Sequence, residues 1–226
     1  FIVVEPESGR TTVLNEPGPE VADAEVERLL ADVRADVSQD DLLIVSGSLP
    51  DSVSSAVAGE LIDIGRDADA RTIVDIHSEA LRVAFAHRPW MLKCNRAELL
   101  ELLGEGESDA PLALDELAQE MQRVREHGIE VVVTTLGPDG ALVADAEGVA
   151  HARVPTIDEV NPTGSGDLLL AGLAVGLEQG RPLYEALVLG AACGTAGATH
   201  LPPELPPDFE LEPAMQRVSL EIVNAR

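Results

Sequence analysis

The residues of this 226-residue chain best suited to chemistry lie between Val160 and Leu177, VNPTGSGDLLLAGLAVGL. The stretch starts extended through Asn161, Pro162 and Thr163, passes Gly164-Ser165-Gly166 and reaches Asp167. Small and apolar residues follow, broken only by Gly172 and Gly176. This pattern predicts a turn running into the first turn of a buried helix. Glycines there admit positive φ and let a ligand approach the backbone with no Cβ in the way. The first amides of a helix have no partner inside it, and the helix dipole adds about half a positive charge, so such an end binds anions. Asp167 beside it has two readings. It is a helix cap, a common use of Asp. Or it is a base that takes a proton from a hydroxyl while the amides hold the negative charge of a phosphoryl group in transit.

The elements that must position these residues read as alternating strands and helices. Phe1 to Val4 and Thr11 to Leu14 are short β-type runs that form a hairpin, and Asn15-Glu-Pro-Gly-Pro breaks the chain. Val21 to Val37 has the apolar spacing of a helix face. Leu42 to Val45 is wholly apolar and reads as a buried central strand, ending in Ser46-Gly47-Ser48-Leu49-Pro50. Polar groups at the C-terminal end of such a strand lie where ligands bind in open α/β sheets. Ser52 is expected to cap a helix to Ile64, and Ser78 one to Ala86, with a strand at Thr72 to Ile76 between them. Trp90 to Lys93 is a further strand, after which Asn95 could cap a helix to Leu103 with Glu98 as its capping-box acid. Leu114 to His127 reads as a helix, Ile129 to Thr134 and Ala141 to Ala144 as strands around Thr135-Leu-Gly-Pro-Asp-Gly140, and Val149 to Val154 as another strand. A last long helix runs from Pro182 to about Thr199, a proline-rich stiff tail follows, and Leu220 to Val223 is a final strand.

This alternation predicts a mainly parallel sheet covered on both faces, with the initial hairpin as a small β lid. The length and the 45% hydrophobic content suffice for one sizeable core. No apolar run reaches the roughly 20 residues that span a bilayer. Cys94 and Cys193 fit no metal spacing and read as reduced, buried thiols of a cytoplasmic protein. The start, FIVVEPESGR, lacks Met and the basic stretch of a secretory signal, so a fragment or processed product is expected. The formal charge of −26, from 41 acids against 15 bases, speaks against nucleic acid and anionic membranes as partners. It serves solubility or adaptation to high salt. Exposed charges are screened beyond about 8 Å at physiological salt, so a phosphate ligand is not forbidden. Lys93 is the sole lysine.

Four motifs in order resemble the PfkB (ribokinase-like) family of sugar kinases. Gly164-Ser-Gly-Asp167 resembles its Gly-Ala-Gly-Asp signature, with Ser165 for Ala. KCNRAELLELLG, Lys93 to Gly104, is similar to its Lys-Pro-Asn-x-x-Glu segment, with Cys94 for Pro. TTLGPDGALV, Thr134 to Val143, matches its nucleotide-binding turn. VSGSLPDSV, Val45 to Val53, resembles the Ser-Gly-Ser-Leu-Pro-Pro-Gly segment of the hexose-phosphate branch, with Asp51 for the second Pro. The family's first strands and Gly-Gly sugar-binding signature have no counterpart here. The chain thus reads as one kinase domain, 1–226, lacking its N-terminal part, with residues 1–20 a partial lid.

The resemblance implies a ribokinase-like α/β fold and ATP-dependent phosphoryl transfer to a sugar or sugar phosphate, as in 1-phosphofructokinase or tagatose-6-phosphate kinase. It implies Asp167 as base and the amides of Gly164, Ser165 and Gly166 as anion hole. Asn95 acts near the nucleotide phosphates, and Glu98 orders Mg²⁺ through water. Lys93, Thr135, Gly137 and Gly140 line the nucleotide site, and Gly47 and Ser48 touch the sugar. Small residues from Ala191 to Thr195 border the adenine, although tight helix packing explains each of them singly. Carbonyls around Asn161 and Thr163 hold a monovalent cation such as K⁺, and the lid can form a homodimer. The other reading is a truncated, inactive member that binds nucleotide or a partner. A dinucleotide oxidoreductase needs an early G-x-G-x-x-G, and a P-loop enzyme a lysine after a glycine-rich loop; neither is present.

Overall fold

The computed structural model describes residues 2–5, 10–13, 18–104 and 112–223. The breaker residues 15–17 and the tip of the expected hairpin, residues 6–9, lie outside them. The chain divides into two compact units, residues 20–152 with 220–226, and residues 153–219 with 1–19.

The larger unit is built on a seven-stranded sheet. After helix α1 (Asp23–Asp36) come β3 (Leu42–Gly47), α2 (Ala56–Asp67), β4 (Arg71–Ile76), α3 (Ser78–His87), β5 (Met91–Asn95), α4 (Arg96–Leu102), α5 (Leu114–Glu126) and β6 (Val131–Thr135). β7 (Ala141–Ala144), β8 (Val149–Arg153) and β9 (Ser219–Val223) complete it. Strands lie in chain order from β3 to β9. β3 to β6 pair in parallel, each joined to the next through at least one helix. β6–β7 and β7–β8 are antiparallel, because connections of only a few residues can make hairpins and not crossovers. The sheet is therefore parallel from β3 to β6 and antiparallel from β6 to β8.

One core cluster draws Ile62 from α2, Leu81 from α3, Leu99 from α4 and Leu117 and Met121 from α5 onto Val74, Leu92, Val132 and Leu142 of the strands. A smaller one joins Leu30 of α1 to Val57 and Ile64 of α2. In this unit helices form where the sequence predicts them, each burying an apolar stripe.

The sequence reading of β3 needs correction. Leu42 to Val45 is wholly apolar, yet β3 ends the sheet, pairs only with β4 among the described residues, and leaves Ile44 41% exposed. Two expected caps are also absent. The Ser52 hydroxyl accepts from the Val21 amide at 2.9 Å, and α2 starts four residues later. Ser78 is itself the first helical residue, at φ 61°, and its hydroxyl lies 3.0 Å from His77 Nδ1.

The smaller unit holds the hairpin, β1 (Ile2–Glu5) paired antiparallel to β2 (Arg10–Val13), as expected from the sequence. It also holds α6 (Ser165–Glu178), α7 (Leu183–Ala198) and α8 (Leu211–Gln216). α8 was not expected in the proline-rich tail. Pro213 sits in its first turn, where a missing N–H breaks no helical bond. Among the described residues no helix is long and apolar enough to cross a membrane.

Candidate active site

At the start of α6, Gly164 occupies the N-cap position at φ 81°, and no side chain caps this end. A Cβ on Gly164 would meet the Cβ of Pro203 at 2.6 Å, so both the dihedral and the space require glycine. The approach is tied down from below. Asn161 is 2% exposed; its amide donates to the Leu201 carbonyl at 2.9 Å, and its Oδ1 accepts from Thr163 N at 3.1 Å. The amides of Val160 and Asn161 both donate to the Ala198 carbonyl, at 2.9 and 3.2 Å. The Asn161 side chain thus ties the approach to the following turn.

One expected anion-hole amide is engaged. Ser165 N donates to the Pro162 carbonyl at 3.1 Å, closing the turn into the helix. Among the described residues no acceptor meets the amides of Gly164, Gly166 or Asp167. The Ser165 hydroxyl is buried without a partner. The Asp167 carboxylate is exposed and bonded to nothing among the described residues; it does not fold back as a cap.

α6 and α7 meet through glycines. A Cβ on Gly172 would lie 2.9 Å from Gly190 Cα, and one on Gly190 would lie 2.5 Å from the Leu169 carbonyl. Beside α7 is a groove of about 310 Å³. Ala192, Thr195, Thr199, Pro155, Ile157 and Phe209 are among its lining residues. The Thr195 hydroxyl donates to the Ala191 carbonyl at 2.7 Å. Ala191 is buried and does not line the groove, whereas Ala192 one position on does. A one-residue step rotates the side chain by about 100° around a helix.

In the larger unit the C-terminal ends of the parallel strands carry the remaining candidates. Gly47, at φ 102°, ends β3, and Ser48 follows; both are exposed, with nothing within 4 Å of the space where a Gly47 Cβ would stand. On β5, Lys93 is buried, and its Nζ lies 2.5 Å from Oδ2 of Asp75 on β4. Asp75 was missed from the sequence; an acid at the end of an apolar strand was its only signal. Asn95 caps α4 by accepting the Glu98 amide at 3.0 Å, and Glu98 Oε2 accepts the Asn95 amide at 2.7 Å. The capping box is thus present, and it leaves Oε1 of Glu98 for other work.

Asn95 and Thr135 are register partners on β5 and β6. They share an open depression of about 660 Å³ with Arg96, Ala97, Leu112, Leu136 and Asp139. Gly137 and Gly140 shape the β6–β7 turn at φ 60° and 91°, with Leu136 N donating to the Gly140 carbonyl at 2.8 Å. A second residue missed from the sequence, the buried His151, steadies this turn through Nε2, 2.7 Å from the Asp139 carbonyl. Cys94 is inert: burial pushes its thiol up to about 12. Among the described residues no three His, Cys, Asp or Glu side chains converge as a metal cage.

A family profile described as "pfkB family carbohydrate kinase" matches residues 1–202. A 1-phosphofructokinase of Bacillus subtilis (strain 168) is 31% identical over 197 residues, covering 87% of this chain and 63% of the relative. A 1-phosphofructokinase of Escherichia coli (strain K12) is 31% identical over 216 residues, covering 96% and 68%. The solved phosphofructokinase-2 from Escherichia coli in complex with potassium superposes with a TM-score of 0.83 at 26% identity, covering 96% of this chain and 68% of that one. The same enzyme in complex with fructose-6-phosphate gives 0.82 at 26% identity, covering 95% and 67%. The chain therefore spans a little under or over two thirds of these relatives. The α/β architecture expected from the four motifs is the one these structures share with it. The chain belongs to the pfkB family of carbohydrate kinases.

Proposed function

We propose that the whole protein transfers a phosphoryl group from ATP to a hydroxyl of a hexose phosphate. The observation that carries this reading is the start of α6, with unengaged amides and an unbonded carboxylate side by side. A carboxylate serving as a cap would instead accept one of those amides. The named activity of the 1-phosphofructokinase relatives and the sugar phosphate bound by the solved phosphofructokinase-2 support the substrate class.

In this reading Asp167 accepts the proton of the acceptor hydroxyl. The freed oxygen forms its bond to the γ-phosphorus as the bond to the bridging oxygen of ADP breaks. The amides of Gly164, Gly166 and Asp167 hold the charge that spreads over the phosphoryl oxygens. Lys93, Asn95, Thr135 and the Gly137–Gly140 turn receive the nucleotide, Thr195 borders its base, and Gly47 and Ser48 meet the sugar. Mg²⁺ binds few carboxylates and keeps several waters, which fits a chain with no cage among its described residues and one spare oxygen on Glu98. The metal would neutralise phosphate charge. The main-chain carbonyls of Asn161 and Thr163 would take a monovalent cation. A cytoplasmic location and pairing of two copies through the β1–β2 lid accompany this reading.

Release of ADP by the whole protein, screened against fructose 1-phosphate, fructose 6-phosphate, tagatose 6-phosphate and unphosphorylated sugars, tests it. Turnover on one hexose phosphate is expected. Nucleotide binding without turnover on any of them would favour an inactive member of the family. The Glu98 assignment has its own test. Gln also completes a capping box, so Glu98→Gln leaves α4 intact while removing the charge. The Mg²⁺ concentration for half-maximal turnover should rise on the order of tenfold. An unchanged Mg²⁺ dependence would reduce Glu98 to a cap.

A further inference from the structure

We infer that Asp75 is a positioning residue for Lys93, anchoring the amine so that the nucleotide polyphosphate meets a cation already in place. This rests on the proposed reading of Lys93 as a nucleotide ligand.

The placement follows from the sheet. Val74 and Leu92 are register partners on β4 and β5, so Asp75 and Lys93, the next residue on each strand, stand side by side. Val74, Ile76, Leu92 and Cys94 all belong to the main core cluster. Side chains alternate along a strand, so Asp75 and Lys93 emerge together on the opposite face. There Nζ and Oδ2 are 2.5 Å apart, and the side chains are only 6% and 16% exposed.

A lysine carries its charge on a flexible four-carbon stem, and holding that stem in one place costs rotamer freedom. A buried ammonium also needs a partner for its donors. Asp75 answers both needs with one carboxylate. The amine keeps two further N–H donors. Those donors are what a phosphate oxygen can take without displacing Asp75. The remaining Lys/Arg bases of these 226 residues are arginines.

Labelling of Lys93 supplies a readout that does not depend on turnover. Acylation with an amine-reactive anhydride, followed by mass spectrometry of the Lys93 peptide, reports on one side chain. In the unsubstituted whole protein labelling should be slow and slowed further by MgATP. In Asp75→Asn the released amine should label severalfold faster. The KM for ATP should rise roughly tenfold, the scale of one charge-assisted hydrogen bond. The KM for the sugar phosphate should stay within about twofold, a split that general loss of structure would not produce. Asp75→Glu, which keeps the carboxylate one methylene further out, should fall between the two. It takes the place of the Asn variant if that protein does not fold. Unchanged labelling and an unchanged KM for ATP in a folded variant would overturn the inference. Failure of MgATP to protect Lys93 in the unsubstituted protein would instead overturn the nucleotide reading, and the inference with it.

Discussion

Asp167→Asn in the whole protein is expected to lower kcat by about 10²- to 10⁴-fold, the scale of a positioned general base. The substitution preserves shape. Asp167 is exposed and makes no hydrogen bond among the described residues, so its loss breaks no contact. Removing a negative charge from the first turn of α6 forfeits roughly 0.3–1 kcal/mol of dipole stabilisation. The melting temperature should therefore hardly move while turnover collapses. A capping role predicts the reverse, a stability loss of about 0.5–2 kcal/mol with turnover intact. Measuring kcat and thermal unfolding on the same preparation separates the two, and near-normal kcat would remove Asp167 from the chemistry.

The second large effect is on folding. Gly190→Ala replaces the poorest ordinary helix former with the best, a gain of about 0.8–1 kcal/mol for an open helix position. α7 is not open there. The new Cβ would lie 2.5 Å from the Leu169 carbonyl and 3.1 Å from Leu173 N, both backbone atoms of α6. Backbone cannot rotate aside as a side chain can, so the helices must separate. Overpacking of this kind costs about 1–3 kcal/mol, and the close approach of a carbonyl puts the cost at the upper end. Net destabilisation should appear as a lower denaturant midpoint, with activity falling alongside because α6 carries Asp167. Val175→Ala, on an exposed position of α6, should stay within about 0.5 kcal/mol and serves as the control. A Gly190→Ala protein as stable as the parent would mean that α6 and α7 are not in contact as described.

Features written in local chemistry were legible in the sequence. The glycine-flanked entry to α6, the Asn95–Glu98 capping box and the β6–β7 turn all depend on residues within a few positions of one another. Features set by lateral packing were not. An apolar run such as Leu42 to Val45 shows that a strand can be covered, but not whether it lies at the centre of a sheet or at its end. Asp75 gains its meaning from Lys93, eighteen residues away, and only strand register brings the two together. Helix α7 is small and apolar on nearly every side, so nothing in its composition sets its rotation. Its sequence therefore does not tell that Ala192, and not the buried Ala191, lines the groove. α8 is only six residues long, too short for a helical period to show in its sequence.

The flank of β3 bears on any measurement made on residues 1–226 by themselves. Along Leu42–Gly47 a row of backbone donors and acceptors has no neighbouring ladder among the described residues, and Ile44 stands beside it partly uncovered. Such a seam is a template for strand addition from another molecule. In concentrated samples of residues 1–226 alone, heating will end in cross-chain zippering rather than reversible melting, and dilute samples are the form in which the stability of the two units can be compared.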